Sequence, residues 1–344
     1  MDRKFRAIAL VSGGLDSALA VAVVRRLGVD VVGLHVLIGY SSGFMRREIA
    51  GERSRDLAAE ESARMSAAFG VPVQILDCTE EYFSVLLHPR HGYGANANPC
   101  IDCHLFMIGK AKEVMEREGA HFVFTGEVLG QRPMSQNYRA LELIDGECGL
   151  GGLLVRPLSA KLLPETLPER NGWLSREGLL DIQGRSRRRQ MELASELGVT
   201  GYSSPAGGCM LTDENYAAKV KDWMRHRGEA GLTHEETLLF SVGRHFRLSP
   251  FVKIVVGRRE AENLYIERAW RGQWLAAPLD GPGPTVLVQG RPTEEDLRVA
   301  ASFVARYSDA KNASSVRVAV RKADEEKIYE IAPAPEALLE RCRI

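Results

Sequence analysis

The sequence predicts an α/β fold: a doubly wound parallel sheet with a second, smaller α+β domain behind it. Three observations lead there. Strand-like apolar runs alternate with amphipathic helical stretches through the first half, the pattern of βα units laid into a parallel sheet. The texture changes after about residue 233, where short strand-like runs gather around one long helix. The length, 344 residues, exceeds what one ordinary core organises, so two or three domains are expected.

In order, residues 5–11 are a continuous apolar run, a buried strand, and residues 17–27 are helical with Gly28 as the stop. Residues 29–38 are a second strand, 52–69 an amphipathic helix closed by Gly70, and 71–76 a third strand. Residues 108–118 are helical and 121–125 another strand. Sheets of this kind bind ligands at the carboxyl ends of their strands. Residues 151–210 are loop-rich and hold the basic run Arg185-Ser186-Arg187-Arg188-Arg189, which leads into a helix ending at Leu197. Beyond, 251–256, 285–289, 316–320 and 328–331 read as strands and 293–307 as one helix. The domains are expected at 1–232, with its cysteine-bearing catalytic region reaching about 212, and at 233–344.

Basic and acidic residues number 45 each, so net charge gives no global argument for a nucleic-acid partner; any such surface must come from local clustering. Ser12 to Asp16 interrupt the N-terminal apolar stretch with glycines and a charge, which excludes a signal peptide. No apolar run is long enough to span a bilayer. Six cysteines in so long a chain do not make a disulfide scaffold, and a reducing cytoplasm is expected.

Ser12-Gly13-Gly14-Leu15-Asp16-Ser17 follows a buried strand and opens a helix. Gly13 and Gly14 allow a tight turn that presents N–H groups to an anion, and the helix N-terminus adds partial positive charge. Ser12 and Ser17 can donate to phosphate oxygens. Asp16 would be repelled by bare phosphate; it suits a group that holds Mg²⁺, or a helix cap. The plain alternative is a glycine turn, which the full six-residue pattern in this setting disfavours. The pattern is neither a Walker A loop, which needs a lysine, nor G-x-G-x-x-G. It resembles the PP-loop signature of the N-type ATP pyrophosphatases, over roughly the first two hundred residues. That resemblance implies a HUP-type, adenine nucleotide alpha-hydrolase-like fold that cleaves ATP between the α- and β-phosphates and transfers AMP to an oxygen.

Cys100-Ile101-Asp102-Cys103 follows Asn98-Pro99, and Cys209 lies in Pro205-Ala206-Gly207-Gly208-Cys209-Met210. A C-x-x-C pair serves zinc, redox or iron–sulfur chemistry. A structural zinc site wants four ligands, and His104 is awkwardly placed beside Cys103 to be one. Three cysteines suit a [4Fe–4S] cluster with one open iron, and equally a persulfide cysteine with a resolving partner; both stay open here. The surrounding glycines and prolines are read as placing these cysteines on exposed turns. Cys78, Cys148 and Cys342 are read as buried and inert. The Asn-Pro-Cys-x-x-Cys stretch with a later Gly-Cys resembles the tRNA 2-thiouridylases. Thr125-Gly126-Glu127-Val128-Leu129-Gly130-Gln131, then Ser135-Gln136 and Arg156-Pro157-Leu158, resemble stretches of the 4-thiouridine synthetases. The sequence departs by Arg132-Pro133-Met134 before Ser135, and no N-terminal RNA-capture domain of the 4-thiouridine type is expected. The resemblance implies ATP and Mg²⁺ as cofactors and tRNA as acceptor. Gly126 and Gln131 join Ser12, Gly13, Gly14, Asp16 and Ser17 at the nucleotide, and Cys100, Cys103, Cys209 and Asp16 carry catalysis. It implies a sulfur donor, sulfide or a persulfide-carrying protein such as a cysteine desulfurase; a second copy of the chain is an admissible partner.

In the last domain, Gly257-Arg258-Arg259-Glu260-Ala261-Glu262-Asn263 sits directly after a strand, Gly281-Pro282-Gly283-Pro284-Thr285-Val286 follows, and residues 300–311 form a helix end and loop. Together these resemble the NFACT-R RNA-binding module, over residues 246–332. Arg244, His245, Arg247, Arg258, Arg259, Arg306 and Lys311, with Arg185, Arg187, Arg188 and Arg189, form a candidate phosphate track. Taken singly, each reads as solvated surface charge. The expected reaction is adenylation of a uridine carbonyl followed by sulfur insertion, giving 4-thiouridine or 2-thiouridine. The uridine must leave its stack to reach the site. The rivals are a PP-loop ligase activating a small-molecule carbonyl and a non-catalytic RNA-binding adaptor.

Overall fold

The apolar run at residues 5–11 becomes β1 (Arg6–Leu10), the centre of the first sheet. The computed structural model describes residues 5–202, 208–227 and 231–344 and divides into two compact units, residues 1–41 with 53–209 and residues 42–52 with 210–344.

In the first unit β1 leads to α1 (Leu15–Arg26) and β2 (Asp30–Leu37). After α2 (Ser42–Ala50) come α3 (Ser54–Phe69), β3 (Val73–Asp77), α4 (Tyr82–Leu87), α5 (Cys100–Arg117) and β4 (Phe122–Thr125). Then follow α6 (Tyr138–Glu147), β5 (Leu154–Val155), α7 (Leu167–Arg170) and α8 (Arg188–Leu197). The five strands run parallel in the order β3-β2-β1-β4-β5. Both faces are covered, which is why β1 is apolar from Ala7 to Leu10. Ala7 and Ala9 face a core built with Leu19, Val24, Met65, Phe69 and Leu193. Ile8, paired with Val32 and Val123, faces the opposite core with Ile108, Ala111 and Ile144. Gly70 ends α3 in the left-handed region, φ 63°, a conformation without the Cβ clash only for glycine. The strand order reverses between β1 and β4, so the crevice at their carboxyl ends is where a ligand is expected.

The second unit adds α9 (Glu214–Arg227), α10 (His234–Ser241), β6 (Arg244–Ser249), β7 (Val252–Val256), α11 (Glu260–Arg268) and β8 (Trp274–Pro278). It continues with β9 (Val286–Gly290), α12 (Glu294–Tyr307), β10 (Val316–Lys322), β11 (Glu325–Ile331) and α13 (Glu336–Cys342). Its six strands are antiparallel, in the order β11-β10-β8-β9-β7-β6. Helix α12 starts at a Thr293–Asp296 capping box and buries Leu297, Ala300, Phe303 and Val304 against the sheet. Helix α2 belongs to this unit, packing on α10 and α11, with buried Glu48 offering both carboxylate oxygens at 3.0 Å to His234 Nε2. Residues 210–232 also lie in this unit. Among the described residues no helix is long and apolar enough to cross a membrane.

Candidate active site

The phosphate-type loop joins β1 to α1. Ser17 Oγ accepts from the Ser12 amide at 3.1 Å and lies 3.1 Å from Ser12 Oγ, which closes the turn. Gly13 has φ 76°, and a Cβ there would stand 2.8 Å from Arg64 Nη2. Gly14 is the N-cap of α1 and supplies no side-chain cap. The first-turn N–H groups thus face an end suited to an anion. Asp16 lies inside that turn, so it is not the helix cap that the sequence admitted as an alternative.

Two other segments close on this loop. Gly126 follows β4, and a Cβ on it would lie 2.7 Å from Asp16 C and from Ser17 N. Gln131 Nε2 donates to Asp16 Oδ2 at 2.6 Å, and Gln190 Nε2 donates to Gln131 Oε1 at 2.9 Å. Arg187 Nη2 stands 3.8 Å from Asp16 Oδ2. Asp16 Oδ1 is buried with no hydrogen-bond partner. A buried carboxylate oxygen left without a partner is a hard-oxygen donor of the kind that fits Mg²⁺.

Cys100 and Cys103 occupy the first turn of α5, not an exposed turn: the helix starts eight residues before the expected position, directly after Pro99. Asn98 Nδ2 donates to Cys100 Sγ at 3.1 Å and lies 3.6 Å from Met134 Sδ, which ties this turn to the segment after β4. Desolvation pushes the Cys103 thiol up to about 12; the Tyr82 hydroxyl bonded to it acts the other way, and Cys209 and Cys100 add repulsion. Burial, with Cys103 and Cys209 nearby, also drives the Tyr82 phenol upward. The three sulfurs therefore share one neighbourhood. Cys209 is exposed and bridges to Ser41; Pro205, Ala206 and Gly207 lie outside the described residues. Among the described residues no three His, Cys, Asp or Glu side chains are arranged to hold a metal ion. Cys78, Cys148 and Cys342 are buried, and burial raises the first to about 11.

A buried ion network joins the two regions. His104 Nδ1 lies 2.8 Å from Glu127 Oε1, so His104 is committed to a carboxylate and not to the cysteines. Arg156 Nε and Thr125 Oγ1 each donate to Glu127 Oε2 at 2.9 Å, and Arg156 Nη1 reaches Asp145 at 2.7 Å. Burial alone would raise the Glu127 carboxyl; Arg156 and His104 outweigh it and hold it near about 2. Glu127 adjoins Gly126, and His104 adjoins Cys103, so one contact spans from the sulfurs to the phosphate loop.

The proposed RNA-contacting cations are differently placed. Arg188 pairs with Glu192 at 3.0 Å and Arg189 with Glu196 at 2.7 Å, while Arg185 is exposed. Arg258 is held by Glu262 at 2.6 Å, and Lys311 is exposed. His245, expected at the surface, is 2% exposed and donates Nε2–H to the Leu239 and Val242 carbonyls; burial takes its pKa well below the ordinary range. Arg247 is bound to Asp222. The motifs gave no signal for Tyr82 or Gln190, nor for the turn of Arg187 toward the loop.

Residues 5–142 match the family model of the tRNA methyl transferase HUP domain, and residues 243–342 that of the NFACT protein RNA binding domain. These matches fall where the motifs placed their two resemblances. The tRNA-specific 2-thiouridylase MnmA of Mycobacterium avium is 29% identical over 102 residues, covering 29% of this chain and 28% of that protein. MnmA of Streptomyces griseus is 24% identical over 343 residues, 88% of this chain and 86% of that protein. The chain thus spans less than a third of the first of these relatives. The crystal structure of a 4-thiouridine synthetase–RNA complex with bound ATP is 20% identical and covers 57% of this chain and 41% of its own at a TM-score of 0.37.

Proposed function

We propose that the chain is an ATP-dependent tRNA uridine sulfurtransferase that releases AMP and pyrophosphate. The observation that carries this is the junction of an open phosphate loop with a three-sulfur neighbourhood through Gly126-Glu127 and His104. The match of residues 243–342 supports RNA as the acceptor, and the 2-thiouridylase relatives support tRNA.

The α1 N-terminus and the hydroxyls of Ser12 and Ser17 hold the ATP phosphates, and Asp16 would hold Mg²⁺, which would neutralise phosphate charge. A uridine carbonyl oxygen attacks the α-phosphorus, the bond to the β-phosphate oxygen breaks, and pyrophosphate leaves. The terminal sulfur of a persulfide on exposed Cys209 attacks the activated carbon; the carbon–oxygen bond breaks and AMP leaves. The Cys100 sulfur then attacks Cys209 Sγ, releasing thiouridine and forming a disulfide, which an external thiol reductant reopens. Cys103 is held as a thiol by burial, which disfavours it as a nucleophile. The donor that loads Cys209 is a persulfide-carrying protein. The base is thiolated at carbon 2 or carbon 4. A ligase for a small-molecule carbonyl has no use for these sulfurs.

The test mixes purified protein with ATP, unmodified tRNA, a persulfide donor and reductant. One pyrophosphate per thiouridine is expected, with Cys209→Ser retaining pyrophosphate release and losing thiouridine. Pyrophosphate release without tRNA and without thionucleoside would overturn the reading.

A further inference from the structure

The loop Ser12–Ser17 contains no basic residue, although it faces the most highly charged part of the proposed substrate. The missing cation comes from elsewhere in the chain. The geometry points to Arg187 as the residue that binds the leaving pyrophosphate, in the activating half of the reaction and not on the RNA surface; this rests on the ATP-cleaving function proposed above.

Four observations converge. Arg187 is the residue preceding α8, and its guanidinium turns inward to within 3.8 Å of Asp16 Oδ2, beyond hydrogen-bond length. Its neighbours Arg188 and Arg189 face outward and pair along their own helix, with Glu192 and Glu196. The first turn of α8 is latched to the loop, because fully buried Gln190 donates to Gln131, which donates to Asp16. That chain of amides fixes the backbone from which Arg187 projects. Asp16 retains an unpartnered buried oxygen, so the place Arg187 points to is built around a charge still to be matched.

Arg64, the other guanidinium at the loop, makes the contrast. Its Nε and Nη2 are bound to Glu61 at 2.8 and 2.6 Å, and its Nη1 donates to the Gly201 carbonyl at 3.0 Å. All its nitrogens are engaged, so it supports the loop. Arg187 has only the long contact with Asp16 among the described residues. It can leave that carboxylate to Mg²⁺ and turn to the β- and γ-phosphates. A fixed cation there acts on charge that grows as the α–β bond breaks. Helices α1 and α8 pack together, so the N-terminal end of α8 adds its partial positive charge on the same side.

The experiment compares wild type, Arg187→Ala, Arg187→Lys and Arg139→Ala, an exposed arginine of the same unit that sets the background for losing one charge. Four quantities are read: kcat/KM for ATP in tRNA-dependent pyrophosphate release, the inhibition constant of added pyrophosphate, tRNA affinity by filter binding, and Tm. Arg187→Ala is expected to lose about 100-fold in kcat/KM and to weaken pyrophosphate inhibition by about tenfold, with Tm and tRNA affinity as in Arg139→Ala. Arg187→Lys recovers part of both. Unchanged ATP kinetics and pyrophosphate inhibition would overturn the inference, and so would reduced tRNA affinity as the sole defect. Calorimetric binding of Mg²⁺ with ATP, and of Mg²⁺ with pyrophosphate, needs no turnover. A wild type that binds neither, and releases no pyrophosphate, would fail the parent reading; normal binding to wild type and to Arg187→Ala alike would fail this inference alone.

Discussion

Gly126→Ala places a methyl group where the backbone of the phosphate loop already stands. The new Cβ would lie 2.7 Å from Asp16 C and Ser17 N and 2.8 Å from Asp16 O, all main-chain atoms that no rotamer change can move aside. Either the loop or the segment after β4 must shift by several tenths of an ångström. Overpacking of this kind costs about 1–3 kcal/mol. Borne by the loop, that is a loss of about 5- to 150-fold in turnover efficiency, at about 1.4 kcal/mol per tenfold. Pyrophosphate release with ATP and tRNA gives kcat/KM, and thermal melting separates a displaced loop from a destabilised domain. The expected outcome is a fall of about tenfold or more in kcat/KM for ATP. Gly109→Ala, inside α5 with no heavy atom within 4 Å of the added Cβ, is the control. It should be neutral, or more stable by about 0.5–1 kcal/mol. Wild-type kinetics and wild-type melting for Gly126→Ala would refute the claim that this glycine is packed on the nucleotide loop.

Arg156→Met leaves Glu127 charged and buried, so urea denaturation should show a loss of about 3–5 kcal/mol, largely recovered in the Glu127→Gln, Arg156→Met double variant. Because Glu127 titrates near about 2 when folded, below its usual value, its stabilisation is present above roughly pH 4.5 and disappears as pH falls through about 2; Glu127→Gln should flatten that acid limb. In the second unit, burial depresses Lys219 and Lys253 to about 8. The unfolded chain then binds more protons between about pH 8 and about pH 10.4. Stability should therefore rise with pH across that window, by an amount that Lys253→Met reduces in denaturation midpoints at pH 7.5 and 9.5. Iodoacetamide at pH 7.5 should label exposed Cys209 well before Cys103, whose thiol is pushed up to about 12, as read by peptide mass spectrometry.

How far the sequence alone carried depended on whether the governing contact was local. β1, α1 and α3 were legible because a strand covered on both faces is continuously apolar and because Gly70 marks its helix end. β6 was missed since Arg244 and Arg247 punctuate it, and β8 since it ends in Ala-Ala-Pro. α2 was missed because only Met45 and Glu48 are buried, and the partner of Glu48 is His234, 186 residues away. The site divides in the same way. Ser12 to Ser17 is a local motif and reads directly, while the relay from Gln190 through Gln131 to Asp16 is assembled by the fold. The run of arginines suggests surface, and Arg188 and Arg189 are exposed and paired along their own helix, whereas the turn of Arg187 toward Asp16 is set by the fold. His245 and Arg247 alternate with apolar residues on β6, and their neutralising contacts come from other elements.

The most direct measurement is thionucleoside analysis of tRNA from a strain deleted for this chain and complemented with wild type or with Asp16→Ala. Loss of one thiouridine in the deletion, its return with wild type and its continued absence with Asp16→Ala is the predicted result. Unchanged thiouridine in the deleted strain, or full restoration by Asp16→Ala, would contradict the assignment of the Ser12–Ser17 loop to the activation of tRNA for sulfur transfer.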